Sequence, residues 1–308
     1  MKMLEIPKRS GGTRTICVPS AKRKRECRAL IPALQDIVRR VCDLEVVHGF
    51  AELRSPVTNA AKHVGFQYTV SFDLKDFFDT VKMTNLGGLY LGGWGFHSCF
   101  HKGIARQGLP TSPIVANIAA ARMDSNITAS LEGVTRDGDP LRYAYTRYAD
   151  DLTISFDKPE YIPFVKGVVA TVVDNAGFVL NDHKTTVQCA QSGRRIVTGI
   201  AVDDVAMYPT RKVKRRLRAA IHNAKTGRVK HFPSRQWTRY VKACRHRGHT
   251  PMPKRAWVRR WLHARVRGLE EWIKLRPPGV GRRSAGRIAD HLPPADALAA
   301  IAARGHKP

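Results

Sequence analysis

Acidic residues are scarce in this chain of 308 residues: 25 Asp plus Glu stand against 53 Lys plus Arg, a formal net charge of +28. Such an imbalance argues against cationic partners and for a polyanion, either nucleic acid or an anionic membrane surface. Long apolar runs are also lacking. None reaches the length of a membrane span, and the N-terminus MKMLEIPKRSGG has no apolar core of the kind a secretory signal needs, so a cytoplasmic location is expected. Cysteine is sparse and unpaired in pattern. Cys17, Cys27, Cys42, Cys99, Cys189 and Cys244 include no CxxC, which disfavours a zinc site or a disulfide framework and leaves ordinary core thiols. There is no internal repeat and no long low-complexity tract.

The charge is unevenly spread. Residues 1–209 carry 26 Lys/Arg and 21 Asp/Glu, a net +5, whereas residues 210–308 carry 27 and 4, a net +23. The chain therefore divides near Pro209 into a nearly balanced body, long enough for a sizeable core, and a basic arm.

Within the body, TRTICVPS reads as a strand ending at Pro19, and residues 22–47 as a basic amphipathic helix with Leu30, Leu34, Ile37 and Val41 on one side. FQYTVSFD is a strand and SPIVANIAAARMDSNITASL a helix of 3.6-residue period. YTRYADDLTISF is a hairpin, and YIPFVKGVVATVVDNAG a helix closed by Gly177. FVLNDHKTTVQCA and RRIVTGIAVDD are both strand-like. Strand, helix, hairpin, helix, strand is the order of a split βαβ, ferredoxin-like sheet, which would set Asp73 beside Asp150 and Asp151.

Those acids carry the chemistry. Asp150 and Asp151 sit at the tight turn of the hairpin, and Asp73 ends the strand YTVSFD. A lone Asp at a strand end is usually a turn former or a cap. A doublet inside a β-alternating hairpin costs strand propensity and concentrates like charge, which a fold keeps only where something offsets it. Three clustered carboxylates cannot all ionise without a counter-charge. Two divalent cations roughly 3.5–4 Å apart supply it while clamping the attacking and leaving oxygens of phosphoryl transfer. The residues point to nucleotide polymerisation.

Through these and further motifs, spread over roughly residues 5–220, the chain resembles a bacterial reverse transcriptase of the retron type, related to the group II intron enzymes. Y-A-D-D is the reverse transcriptase form of the doublet, where viral RNA-dependent RNA polymerases usually carry G-D-D. The G-G-D-E-F hairpin of diguanylate cyclases is absent. The resemblance implies an α+β right-hand polymerase with fingers, a ferredoxin-like palm and a helical thumb. It implies that Asp73, Asp150 and Asp151, with the backbone carbonyl of Leu74, hold two Mg²⁺ ions, Mn²⁺ being an alternative. Phe78 matches the steric gate, whose ring occupies the space of a ribose 2′-OH and so selects deoxynucleotides. Gln107 and Gly108 of QGLPTSPIVANI, together with Tyr148, match residues lining the nucleotide pocket. Lys8 and Arg14 resemble the fingers cations that neutralise the triphosphate. Lys184 resembles the basic residue beside the incoming nucleotide.

Two short elements narrow the type. Asn59 and His63 of NAAKH, directly after VHGF, match the N-A-x-x-H element of retron enzymes, and Val197, Thr198 and Gly199 match their V-T-G triplet. The resemblance implies RNA binding at these positions. It also implies copying of a structured non-coding RNA that is both template and primer, synthesis started from a guanosine 2′-OH, a single-stranded DNA product, and an antiphage role beside an effector protein in a bacterial cytoplasm.

In the arm, RKVKRRLRAAIHNAK puts Val213, Leu217, Ile221 and Ala224 on one helical face, so that the helix packs on the palm while Arg211, Lys214, Arg215 and Arg218 meet RNA phosphates. Trp257, Trp261, Leu262, Leu269 and Trp272 recur at helical spacing and read as a packing stripe rather than a base-stacking platform. Arg259, Arg260, Arg265 and Arg267 would face nucleic acid, and the tail after Pro277 reads as partly disordered. The chain starts almost at the first fingers strand, so the N-terminal helices of longer relatives are expected to be missing. Two alternatives stand beside this reading: a group II intron-like or other defence-associated reverse transcriptase, and a non-catalytic RNA-binding or antitoxin subunit that keeps the palm as a scaffold. The intact acid triad disfavours the second.

Overall fold

The computed structural model describes residues 1–8, 11–86, 96–136, 138–227 and 233–274; the tail after Pro277 lies outside them. The chain divides into two compact units, Met1–Asp204 and Val205–Pro308.

The first unit opens with an antiparallel hairpin, β1 (Lys2–Pro7) and β2 (Thr13–Val18), in which Ile6 pairs with Arg14. Helix α1 (Ala21–Val41) follows. The hydroxyl of Ser20 caps it by accepting from the Arg23 N–H (3.2 Å), and Cys27, Leu34, Ile37 and Val38 form its buried side. The helix stops at Val41, short of the residue 47 suggested by periodicity. The remaining apolar residues, Val46 and Val47, are buried in a different way, at the end of a turn from which Val47 makes a single parallel bridge to Arg147. Helix α2 (Pro56–Ala61) begins with a reciprocal cap between Ser55 and Thr58.

The centre of this unit is a four-stranded sheet of β3 (Tyr68–Asp73), β6 (Tyr143–Tyr148), β7 (Asp151–Phe156) and β8 (Thr186–Cys189), in the spatial order β6-β7-β3-β8. All three pairings are antiparallel. Between β3 and β6 the chain makes the single turn α3 (Phe77–Thr80), the long α4 (Ser112–Leu131) and a small hairpin of β4 (Thr135–Arg136) and β5 (Asp139–Pro140). Between β7 and β8 comes α5 (Ile162–Asn175). Strand, helix, hairpin, helix, strand with this order is the ferredoxin-like arrangement expected. One apolar core joins α1, α4 and α5 to the sheet through Leu34, Val70, Phe72, Ile118, Met123, Leu152, Ile154 and Val169. The first half of helix α4 is enclosed on nearly every side and the second half on its inner face, so its polar Ser112, Asn117 and Asp124 lie inside the protein.

The segment FVLNDHKTTVQCA is strand only from Thr186. Asn181 accepts at its backbone carbonyl from the Lys184 N–H (2.9 Å), and residues 182–184 form a single 3₁₀ turn. A further hairpin, β9 (Arg195–Val197) and β10 (Ile200–Val202), turns at Thr198 and Gly199.

The second unit contains β11 (Met207–Pro209), α6 (Arg211–Thr226), α7 (Ser234–His246) and α8 (Lys254–Lys274). Thr210 caps α6 and Gly227, at φ +66°, ends it. Helix α6 packs along α8. Helices α7 and α8 meet through an aromatic cluster in which Trp237 and Trp257 are edge to face at 5.3 Å and Trp257 and Trp261 stack at 6.5 Å. Trp257 and Leu262 are buried and Trp261 and Leu269 half-buried, as a packing stripe requires, while the side chain of Trp272 lies outside the described residues. Among the described residues, no helix is long and apolar enough to cross a membrane.

Candidate active site

The sheet register brings the acids together. Asp73 is the direct cross-strand partner of Asp151, in the last pair of the β3–β7 ladder. Asp150 stands at the two-residue turn between β6 and β7, and its carbonyl accepts from the Leu74 N–H at 2.9 Å. Ala149 takes φ +60°, an uncommon conformation for a residue with a Cβ, which lets the chain reverse in so few residues.

Loss of water contact, followed by the charges on Asp150 and Asp73, pushes the Asp151 carboxyl up to about 6, although part of its side chain still reaches solvent. Asp150 is also raised by desolvation and by Asp73. Asp73 has found a counter-charge. Lys184 donates to both of its carboxylate oxygens (2.8 and 3.0 Å), and Asn181 Nδ2 donates to Oδ2 (3.3 Å). That bond in turn raises the Lys184 ammonium above its usual value. Among the described residues, no three His, Cys, Asp or Glu side chains converge as they stand on one metal position. The donor set nevertheless suits a divalent ion. All three acids lie at one end of the sheet, two of them are raised from their ordinary carboxylate values, first by burial and then by their acidic neighbours, and the cation on the third is a flexible, half-exposed lysine.

The other expected nucleotide residues surround this end. Phe78, one turn beyond Asp73, is half-buried and packs at 5.7 Å from Phe77 and 6.1 Å from Phe50. Gln107 and Gly108 are tied to the first hairpin. The Gln107 carbonyl accepts from the Cys17 N–H (2.7 Å), and a Cβ on Gly108 (φ +103°) would lie 2.1 Å from the Cys17 carbonyl oxygen. Only glycine allows that approach. Tyr148 is the ladder partner of Asp151. Arg14 is exposed on β2, with its charge acting to lower the Asp150 pKa. Lys8 lies 3.7 Å from Asp76, so it is engaged with the palm side of the site.

The positions expected to bind RNA divide. His63 is fully buried: its ring nitrogens lie 2.8 Å from Ser155 Oγ and 2.7 Å from Thr146 Oγ1, and burial pushes its pKa down to about 3. Asn59 and Val197 are each 1% exposed. Direct contact with RNA is therefore closed to Asn59, His63 and Val197, which instead anchor α2 and the β9–β10 hairpin to the sheet. The tip belongs to Thr198, half-buried, and Gly199, exposed, both at positive φ (+46° and +80°). The Thr198 hydroxyl donates to the Pro56 carbonyl (3.1 Å), which helps hold a β-branched residue where such residues are rare. Arg211, Arg215 and Arg218 are all exposed on α6, while Val213, Leu217, Ile221 and Ala224 form its half-buried side. A cavity of about 660 Å³ opens between the end of α6 and the start of α8, with Lys225, Lys254, Arg255, Arg259 and His263 around a floor of Val258 and Leu262.

Some site residues escape the motif reading. Gly49 packs against the acid turn so closely that a Cβ would lie 2.2 Å from the Ala149 nitrogen. Arg147, Asp124 and Asn117 form a buried polar group beneath that turn. The available signal was on α4, where Asn117 and Asp124 recur seven residues apart on an otherwise apolar helix and so share one face.

The family model described as reverse transcriptase (RNA-dependent DNA polymerase) matches residues 6–216. The retron Mx65 reverse transcriptase of Myxococcus xanthus is 33% identical over 243 residues, covering 70% of this chain and 54% of that one. The retron Ec86 reverse transcriptase of Escherichia coli is 28% identical over 248 residues, covering 74% and 71%. The chain thus spans about half the length of the Myxococcus relatives it matches. Among solved structures, an apo telomerase from Candida tropicalis truncated from its C-terminal domain aligns with a TM-score of 0.48 at 16% identity, covering 68% of this chain and 54% of that one. A foamy viral protease-reverse transcriptase in complex with double-stranded DNA aligns with a TM-score of 0.43 at 14% identity, covering 87% and 43%.

Proposed function

Because the chain belongs to the reverse transcriptase family, with the retron-type enzymes of bacteria as its relatives and an α+β right-hand polymerase fold, we propose that it copies part of a structured non-coding RNA into single-stranded DNA. The observation that carries this reading is the register that pairs Asp73 with Asp151 and sets Asp150 at the adjoining turn. Asp73, Asp150 and Asp151, with the Leu74 carbonyl, would hold two Mg²⁺ ions, with Mn²⁺ as an alternative. When bound, the metals supply charge to the attacking 3′ oxygen and to the departing pyrophosphate. The chain's own groups do the rest. Lys184 gives up Asp73 and turns toward the nucleotide phosphates, Arg14 and Lys8 neutralise the triphosphate from the fingers hairpin, and Gln107, Gly108 and Tyr148 border the base and sugar. Residues 210–308 act as a thumb whose exposed Arg211, Arg215 and Arg218 meet backbone phosphates. Primer extension on an RNA template with Mg²⁺ tests the core of this reading, and protein that binds RNA but adds no nucleotide would leave the non-catalytic scaffold.

Phe78 serves as the sugar gate. Phe78→Ala should raise incorporation of ribonucleotides relative to deoxynucleotides on the order of 10–200-fold, the range that one small group commands in an apolar pocket. The competition between rNTP and dNTP in single-nucleotide extension measures it. A folded variant with unchanged sugar preference would remove Phe78 from that role.

Synthesis is proposed to start from the 2′-OH of a guanosine in the bound RNA, with the Thr198–Gly199 tip and the α6 arginines receiving that RNA. The enzyme should then co-purify with a short structured RNA and extend it without added primer, leaving DNA and RNA joined 2′ to 5′. Debranching enzyme should shift the product on a denaturing gel. A product that begins at an ordinary 3′-OH would favour an intron-like or other defence-associated relative. An antiphage role, an effector protein partner and a bacterial cytoplasmic location complete the proposal.

A further inference from the structure

The Arg147–Asp124 pair is buried to 0% and 2% exposure, and every nitrogen of the guanidinium donates a hydrogen bond. Its Nε donates to both Asp124 oxygens (2.9 Å each), and Nη2 donates to Oδ2 (2.8 Å). Nη1 donates to Asn117 Oδ1 (2.9 Å) and to the Ala149 carbonyl (3.2 Å), the peptide immediately before Asp150. Tyr145 OH donates to Asp124 as well (2.7 Å). Asn117 spends its other end on Gly49, donating from Nδ2 to the Gly49 carbonyl (2.9 Å). Gly49 closes the circuit by lying against Ala149 N without room for a Cβ. The backbone repeats the tie, since His48 N donates to the Arg147 carbonyl (2.9 Å) and Arg147 N to the Val46 carbonyl (2.8 Å).

A buried ion pair is a poor device for stability alone, because apolar residues of similar volume often serve as well. What this one does that apolar residues cannot is fix a carbonyl at the acid turn from below while Asn117 fixes Gly49 from the side. We infer that Arg147, Asp124, Asn117 and Gly49 form a buried brace that sets where Asp150 and Asp151 stand, making them positioning residues for the metal-holding turn. This rests on the polymerase reading above. The Ala149 conformation is the object of the brace: left-handed backbone at a non-glycine residue persists only when its surroundings over-determine it.

The test uses the full chain and Mn²⁺ binding followed by calorimetry, beside steady-state extension of an annealed primer. Asn117→Ala cuts both the Gly49 and the Arg147 links, and Gly49→Ala forces the turn away without touching the ion pair. Each should weaken Mn²⁺ binding and lower kcat by roughly 10–100-fold, the usual consequence of losing a group that orients a ligand, while KM for primer-template stays within about twofold. Arg147→Lys, which keeps a charge beside Asp124 but loses the fork, is the second variant should Asn117→Ala fail to fold, and it should show the same split. Leu131→Ala, at the far end of α4, serves as a control that loses stability and keeps metal affinity. Folded brace variants with wild-type Mn²⁺ affinity and kcat would overturn the inference. Wild-type protein that neither binds Mn²⁺ nor extends a primer would instead overturn the polymerase reading.

Discussion

Asp150→Asn and Asp151→Asn enzymes are expected to lose DNA synthesis by at least about 10³-fold in kcat, because an amide cannot bring the negative charge that holds a divalent ion and the lost transition-state stabilisation amounts to several kcal/mol. Stability should move the other way. Asp151 is held up to about 6 by desolvation and by its acidic neighbours, above the ordinary carboxylate value. In metal-free protein the folded state therefore prefers the protonated form, and the ionised carboxylate opposes folding increasingly from about pH 4 to pH 6 and fully above that. Removing the charge should keep or raise the melting temperature at pH 7 without metal, and should abolish the increase that Mg²⁺ gives the wild type. Thermal melts with and without Mg²⁺ read this directly. A variant that melts lower and still extends primers would make the doublet structural.

RNA affinity of the full chain should fall on the order of 10³–10⁵ between 50 and 200 mM salt if about 6–10 phosphates are contacted in a duplex-like manner. The basic second unit should carry most of that slope. Lys225, Arg255 and Arg259 border one cavity beside α8, and replacing all three by Gln should reduce the log–log slope by about 2–3, at up to 0.9 per phosphate contact. Fluorescence anisotropy across a salt series measures both slopes. Parallel slopes for variant and wild type would move the electrostatic footprint elsewhere, with Arg211, Arg215 and Arg218 on α6 the next group to neutralise.

The parts of the fold written in local periodicity were legible in the sequence. Helix α4 spans Ser112–Leu131, as the apolar spacing after Pro113 requires, and the alternation around the acid doublet forces β6, the turn and β7. The end of α1 was not legible, because Val46 and Val47 are apolar in either case and only the distant bridge to Arg147 decides between continued helix and a turn leading to the sheet. Lys184 sits on a 3₁₀ turn that a strand reading of FVLNDHK conceals, yet that turn is what aims the ammonium at Asp73. The motif letters at Asn59 and His63 carry no information on burial. His63 is fixed by hydroxyls 83 and 92 residues away, so its place inside the sheet is a property of the tertiary fold. Gly49 was hidden for the same reason: its neighbour Ala149 is a hundred residues off, and nothing near VHGF announces the contact.

The aromatic cluster between α7 and α8 also gives the molecule a built-in optical label. Four of the five tryptophans, at 237, 257, 261 and 272, fall in the second unit. Trp237 and Trp257 touch at 5.3 Å, Trp261 stacks beyond them, and the Arg265 guanidinium lies 5.7 Å from the Trp261 ring. Indole emission therefore reports mainly on the second unit. A polyanion that draws Arg265 off the ring would change the quenching and colour of that emission. Events confined to the acid turn, which has no indole among the residues described around it, would leave the light unchanged. Indole emission can thus follow RNA loading at the second unit with little interference from metal loading at the acid turn.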